Sequence, residues 1–162
     1  MHKITILLGS NQGNRKDLIL RAIQLLETKL GKYLKASSIY ESKAWGFEAE
    51  TTFLNQVLIF ETQLKPQEIL QISLDIEKVL GRIRNTKGYA SRTMDIDLLF
   101  YDNRIIEEAN LQIPHPRLHL RRFTLEPLVE IIPNFIHPKF KKSMSELLQA
   151  CPDNLMPNKL EK

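Results

Sequence analysis

Met94-Asp95-Ile96-Asp97-Leu98-Leu99-Phe100-Tyr101 is the stretch on which the reading of the fold turns. It has the length and apolar content of a buried strand, interrupted twice by acid. Side chains alternate along a strand, so Met94, Ile96, Leu98 and Phe100 are expected on one side, with Asp95 and Asp97 on the other. Upstream lies a polar loop over residues 82–91, and before it a helical stripe of Ile69, Ile72, Ile76, Val79 and Leu80. That helix begins at Pro66, which suits a first turn, and ends at Gly81. Further back, residues 53–62 and 33–40 read as strands, separated by a loop over residues 41–52. Leu18, Ala22, Leu25 and Leu26 recur at helical spacing up to Gly31, a suitable C-terminal cap. The chain opens with the aliphatic run Ile4-Thr5-Ile6-Leu7-Leu8, closed by the turn formers Gly9-Ser10-Asn11-Gln12-Gly13-Asn14.

The order is therefore β-α-β-β-α-β. It specifies an α+β, ferredoxin-like two-layer sandwich: an antiparallel sheet with two helices on one face and the other face available for ligands. After the strand, Asp102-Asn103 marks a turn into Arg104-Ile105-Ile106. The last third adds a helical segment, with one helix through Leu125, Leu128 and Val129. A shorter one opens on the capping-box pattern Ser143-Met144-Ser145-Glu146. No internal repeat or low-complexity linker divides the chain, so residues 1–162 are expected to form a single domain.

Composition narrows the function. The chain has 162 residues, with 23 Lys plus Arg against 19 Asp plus Glu, a net charge of +4. The excess is compatible with nucleic acid or with a phosphorylated small molecule. A single cysteine, Cys151, excludes an internal disulfide framework and favours a reducing, cytoplasmic setting. The opening apolar run is too short for a secretion signal, and nothing approaches a membrane span. No membrane partner is expected.

Two carboxylates two residues apart on a strand lie about 6.5–7 Å apart and disfavour each other's ionisation. A hard divalent cation relieves that conflict, since Mg²⁺ takes one or two carboxylates together with substrate phosphates. A solvated strand face is the plain alternative. Arg82, Arg84, Lys87 and Arg92 stand just upstream, and arginine offers a planar fork matched to phosphate oxygens. Metal-holding acids beside arginines are the parts of a phosphoryl-transfer site. Arg82 and Arg84 would equally suit the C-terminus of the preceding helix.

Asn55 is the second anomaly. It is a poor strand former on the face shared by Phe53, Val57 and Ile59, with Trp45 in the loop before. Rings and an amide together suggest a flat heteroaromatic ligand, stacked on its faces and read at its edge; core packing is the alternative. His115, between Pro114 and Pro116, has the chemistry to donate to a phosphate or to serve structurally. His2, His119 and His137 have no zinc-site spacing. Neither a G-x-x-x-x-G-K-[ST] phosphate loop nor a G-x-G-x-x-G fingerprint occurs.

Together these residues resemble a known family. Gly9-Ser10-Asn11, Phe53-Leu54-Asn55, Arg92-Thr93-Met94-Asp95-Ile96-Asp97-Leu98-Leu99, Pro114-His115-Pro116 and Arg121 with Phe123 are similar, in order and spacing, to 6-hydroxymethyl-7,8-dihydropterin pyrophosphokinases. The resemblance spans about residues 3–135 and implies transfer of the β,γ-diphosphoryl group of ATP to a reduced hydroxymethyl pterin, with release of AMP. It implies two Mg²⁺ ions on Asp95 and Asp97, and charge neutralisation by the catalytic Arg82 and Arg92. Nucleotide contacts would come from Glu77, Arg84, Arg92, Leu98, His115 and Arg121. Ser42, Trp45, Phe53, Asn55 and Phe123 would bind the pterin. The chain departs from the family pattern at Lys43, Gly88, Tyr89 and Asn110. The partners implied are small molecules, with no nucleic acid and no membrane, and the chain is expected to be a monomer.

An RNA-binding module of similar strand-helix order is the alternative from another class. Its sheet would need stacking aromatics where this chain has Ile4-Thr5-Ile6-Leu7-Leu8 and Asp95-Ile96-Asp97. A transferase of the same build acting on another flat acceptor is the second alternative.

Overall fold

The opening aliphatic run becomes the centre of the molecule. In the computed structural model, which describes residues 1–44, 51–81 and 93–160, β1 (His2–Ser10) is hydrogen-bonded on both sides. It pairs antiparallel with β4 (Phe53–Thr62) and with β5 (Asp95–Tyr101). The short strands β2 (Lys35–Ala36) and β3 (Tyr40–Ser42) both pair with β4, and β8 (Asn158–Lys159) extends the sheet beyond β3. A separate hairpin joins β6 (Ile106–Glu108) to β7 (Leu111–Ile113). The helices are α1 (Arg15–Leu30), α2 (Pro66–Val79), α3 (Arg122–Ile131) and α4 (Met144–Gln149). This is the expected ferredoxin-like order with an added C-terminal segment.

Each face of the sheet buries its own cluster. Ile4, Ile6 and Leu8 pack with Leu54, Leu58 and Phe60 beneath α1 and α2. Leu7, Val57, Leu99 and Phe100 pack beneath α3 and α4, together with Leu118, Leu125, Leu128, Met144 and Leu147. The C-terminal helices therefore roof much of the face opposite α1 and α2. They leave uncovered the end of the sheet where β1 finishes and β4 and β5 begin, where Asp95 and Asp97 are half-buried.

Two details depart from simple alternation. Ile6 faces Leu98 while Thr5 faces Phe100, so Leu99 is an extra residue in β5. Such a bulge reverses the alternation beyond it. Phe100 consequently joins Leu99 in the α3–α4 cluster, and Tyr101 turns into the α1–α2 cluster. The expected grouping of Phe100 with Met94, Ile96 and Leu98 is corrected by this bulge.

The second departure concerns the single strand expected over residues 33–40, which is two strands interrupted at Ser37 and Ser38. The Val57 N–H donates to the Ser37 hydroxyl at 3.0 Å in place of a carbonyl. Ser38 turns instead toward α3, where its N–H and hydroxyl both donate to the Glu130 carboxylate at 3.0 Å. The Tyr40 hydroxyl donates to Glu130 at 2.8 Å. Burial opposes the Glu130 charge, but the bonds from Tyr40 and Ser38 and the nearby Lys159 more than offset it, holding the carboxyl below its usual range. Burial and the same carboxylate push the Tyr40 phenol up.

Local signals read from sequence are seen directly. Pro66 is the first residue of α2, Gly31 caps α1 with φ of 86°, and Ser143 and Glu146 complete the capping box of α4. Because Glu130 is the acceptor that joins α3 to the edge of the sheet, Glu130→Ala should lower folding stability by about 1–3 kcal/mol through orphaned donors. Glu130→Gln, which keeps an acceptor, should lose less. Denaturant titration of the three proteins measures the difference.

Candidate active site

The register of β1 brings the anomalous residues together. Gly9 lies opposite Asn55 on one side and Asp95 on the other. Two residues back, Leu7 lies opposite Val57 and Asp97. Directly opposed residues share a face, so Asp95, Asp97 and Asn55 point to the α3 side with Leu7 and Val57. Adjacent strands are about 4.8 Å apart, placing the Asp95 and Asn55 backbones about 10 Å from each other across Gly9.

Gly9 is there for space. A Cβ at this position would lie 2.7 Å from Asn55 Nδ2, too close for the amide to stay where it is. The Asn55 amide crosses the bare backbone and donates from Nδ2 to the Leu8 carbonyl at 3.3 Å. That bond fixes the amide's orientation and leaves Oδ1 buried, with no hydrogen-bond partner among the described residues. The Ser42 hydroxyl is in the same condition. Ser42 pairs with Phe53 and Tyr40 with Asn55, so Ser42, Phe53 and Asn55 form one patch. An unpaired buried acceptor costs about 1–3 kcal/mol, and a ligand edge carrying N–H donors would satisfy it.

The start of α3 lies on the same face of the sheet, with Phe123 packed against the cluster that holds Leu7 and Val57. Arg121 is 8% exposed, and its guanidinium carbon lies 5.7 Å from the centre of the half-buried Phe123 ring. On the other side, the bulge at Leu99 positions His115, whose N–H donates to the Leu99 carbonyl at 3.0 Å. His115 Nδ1 accepts the Arg117 N–H at 3.1 Å, so the neutral ring carries its proton on Nε2. Burial, reinforced by the Arg121 and Arg117 charges and opposed by Asp95, pushes the His115 pKa down to about 4. At neutral pH it is an uncharged N–H donor.

Glu77 is 1% exposed on α2, and its Oε2 accepts the Ile96 N–H at 2.7 Å. It thus pins β5 at the residue between the two aspartates. Leu98 is buried with Ile96 in the α1–α2 cluster, on the opposite face from Asp95 and Asp97. The structure therefore brings Ser42, Phe53, Asn55, Asp95 and Asp97 onto one face of the sheet. Arg121 and Phe123 stand at the start of α3, and His115 in the segment joined to the β5 bulge. Glu77 and Leu98 lie on the helix side of β5. Trp45, Arg82, Arg84 and Arg92, with Lys87, Gly88 and Tyr89, lie outside the described residues.

The donor set suits magnesium. Asp95 and Asp97 are both half-buried on one face of one strand. Among the described residues no group of three or more His, Cys, Asp or Glu side chains gathers as a metal cluster. Two carboxylate oxygen donors are the share a protein gives Mg²⁺ when phosphates supply others.

Two features at this end escaped sequence reading. Gly9 looked like a turn former, and its role depends on a side chain 46 positions away; a glycine closing a run of five large residues was the available signal. Arg15 donates from Nη1 to the Thr52 carbonyl at 2.9 Å and to the Glu41 carboxylate at 3.2 Å, holding the neighbours of Phe53 and Ser42. Nothing in its local sequence separates it from a solvated helix residue.

Comparison with known proteins points to one family. The family described as 7,8-dihydro-6-hydroxymethylpterin-pyrophosphokinase (HPPK) matches residues 5–133. A 2-amino-4-hydroxy-6-hydroxymethyldihydropteridine pyrophosphokinase of Aquifex aeolicus is 47% identical over 139 residues, covering 86% of each chain. The protein of the same name from Porphyromonas gingivalis is 39% identical over 135 residues, covering 82% of this chain and 91% of its own. A solved Plasmodium falciparum HPPK-DHPS with pteroate superposes with a TM-score of 0.75 at 16% identity. That likeness, which speaks for the fold, covers 92% of this chain but only 44% of the solved one. The RNA-binding alternative finds no support in these matches.

Gly9→Ala should displace the Asn55 amide and cost about 1–3 kcal/mol of stability from overpacking. Combining it with Asn55→Ala should recover part of that loss. Thermal or chemical denaturation of the single and double variants checks both statements.

Proposed function

The chain belongs to the 7,8-dihydro-6-hydroxymethylpterin pyrophosphokinase family, and from that premise we propose how its residues divide the work of the reaction. The family's reaction moves the β,γ-diphosphoryl group of ATP to the hydroxymethyl oxygen of the reduced pterin in folate synthesis. The acceptor oxygen forms a bond to the β-phosphorus, the bond from that phosphorus to the α,β-bridging oxygen breaks, and AMP leaves. The observation that carries the assignment is the row Asp95–Gly9–Asn55, which sets a carboxylate pair and a buried amide oxygen, without a partner among the described residues, on one face of the sheet.

Asn55 and Ser42 form the acceptor end. The Asn55 Oδ1 accepts from an N–H of the pterin edge, so that a ligand lacking this donor leaves the oxygen buried and unpaired. Phe53 and Phe123 supply the two aromatic walls, and on the family pattern Trp45 also serves the pterin. A flat ring loses little conformational freedom between such walls, which supports selection by shape.

Asp95 and Asp97 form the phosphate end and would hold Mg²⁺, as two ions on the family pattern. When bound, magnesium neutralises phosphate charge and orients the oxygens for in-line transfer. Arg121, buried beside Phe123, contributes a fixed positive charge between the two ends. His115 donates its Nε2 proton to a phosphate oxygen as a neutral group, adding a hydrogen bond without a titrating charge. Arg82 and Arg92 neutralise charge developing on the transferred group, and Arg84 contacts the nucleotide; Leu98, buried on the helix side of β5, serves that end only by packing. Glu77 supports this end from below by holding Ile96. The chain acts as a monomer, and in the cytoplasm on the support of its lone Cys151. No helix among the described residues is long and apolar enough to cross a membrane.

With ATP, Mg²⁺ and the reduced hydroxymethyl pterin, chromatography should show AMP and pterin diphosphate forming in equal amounts. Neither should form when the pterin is omitted or when EDTA is in excess. Asp97→Ala should reduce the rate by roughly 10²–10³-fold or more, the scale of losing electrostatic stabilisation of the transferred group. Formation of ADP, or a near-normal rate in Asp97→Ala, would overturn the assignment.

A further inference from the structure

The C-terminal tail, residues 151–160, lies beyond the stretch that matches the family and carries none of the groups assigned above. It nevertheless touches both halves of the acceptor patch. Asp153 Oδ2 accepts the N–H of Arg122, the first residue of α3, at 3.0 Å. Its other oxygen, Oδ1, accepts the Leu155 N–H at 2.9 Å and turns the tail toward the sheet. Beyond that turn Asn158 pairs with Glu41 and Lys159 with Tyr40, and the Leu160 N–H donates to the Ile39 carbonyl at 2.8 Å. Between the tail and β3 lies a hollow of about 280 Å³ lined by Ser42, Thr52, Asn154, Leu155 and Met156.

We propose that Asp153 is a positioning residue for the acceptor: by capping α3 it sets the angle at which Phe123 meets the face carrying Phe53 and Asn55. The proposal rests on the assignment of Phe123 as an acceptor wall. Helix N-termini leave N–H groups unsatisfied, and α3 has no side-chain cap from its own N-cap residue, Arg121. A residue 31 positions downstream supplies the acceptor. The anchored amide is one residue from Phe123, so loss of the cap frays the turn that bears the ring. Arg121 is held differently: its carbonyl accepts the Thr124 and Leu125 N–H groups, both at 3.1 Å, and its N–H donates to Leu118 at 3.3 Å. Removing the cap should therefore weaken acceptor binding more than nucleotide binding.

The test compares KM for the reduced pterin with KM for ATP in Asp153→Ala, Asp153→Asn and Arg122→Pro, with melting temperature recorded for each. Asp153→Ala should raise the pterin KM about fivefold, the scale of losing one helix cap, and shift the ATP KM less than about twofold. Asp153→Asn keeps an acceptor oxygen and should stay within about twofold of the parent on both. Arg122→Pro removes the same bond from the donor side. Proline suits the first position of a helix, and Arg121 already has the extended backbone that a following proline requires (φ −122°, ψ 107°). It should reproduce the Asp153→Ala pattern even where Asp153→Ala is too unstable to assay, while Arg122→Ala should not. Equal changes in both KM values, or no change in the pterin KM, overturn the proposal. Phe123→Ala separates its failure from failure of the underlying reading. If Phe123→Ala raises the pterin KM and the cap variants do not, only the role of Asp153 falls. If Phe123→Ala leaves the pterin KM unchanged, the wall assignment falls with it.

Discussion

Everything at the active end depends on β1 being hydrogen-bonded on both sides in a single register. A slip of one residue on either side would turn Asn55, or Asp95 and Asp97, into the apolar layer beneath α1 and α2. The register is enforced by that layer itself. Ile4, Ile6 and Leu8 are fully buried, as are their partners Leu58 and Phe60 across β4. The functional row is thus specified from the other face of the sheet, by residues with no part in the chemistry. Gly9 completes the constraint, because only a residue without a side chain lets the Asn55 amide lie across β1 and reach the Leu8 carbonyl.

The two ends of the site are tuned in opposite senses. At the proposed acceptor end, Asn55 Oδ1 and the Ser42 hydroxyl have no hydrogen-bond partner among the described residues, which would favour a ligand whose edge supplies those bonds over one that merely fits. At the proposed phosphate end, half-buried carboxylates share the site with a buried arginine and a histidine kept neutral. The bulge at Leu99 links the two concerns. Its extra residue turns Phe100 to hold up the roof of α3 and α4, and its carbonyl fixes His115. A regular strand would do neither.

Much of this was legible in the sequence, for physical reasons that vary by element. The helices and the strands at 53–62 and 95–101 were readable because their apolar periodicity is long and their caps are local, as at Pro66, Gly31 and Ser143. Asp95, Asp97 and Asn55 stood out because each contradicts its strand environment. Phe100 was misassigned because a bulge leaves no local signature: it is decided by the pairing of β5 with β1. The break at Ser37 and Ser38 was hidden for a similar reason, since Ser38 turns out to reach Glu130, a residue 92 positions away. Arg15 and Asp153 were invisible for want of any local conflict, their importance lying wholly in distant partners.

The central claim is that the buried Asn55 amide reads the acceptor beside the carboxylate pair. The most direct measurement is the NMR signal of the Asn55 side-chain amide as the reduced hydroxymethyl pterin is added with Mg²⁺ and a non-hydrolysable ATP analogue. The account predicts a large shift of that resonance and slowed exchange of its protons as the pterin edge closes over the amide. An acceptor that binds with Asn55 unmoved, while signals elsewhere on the molecule respond, would contradict it.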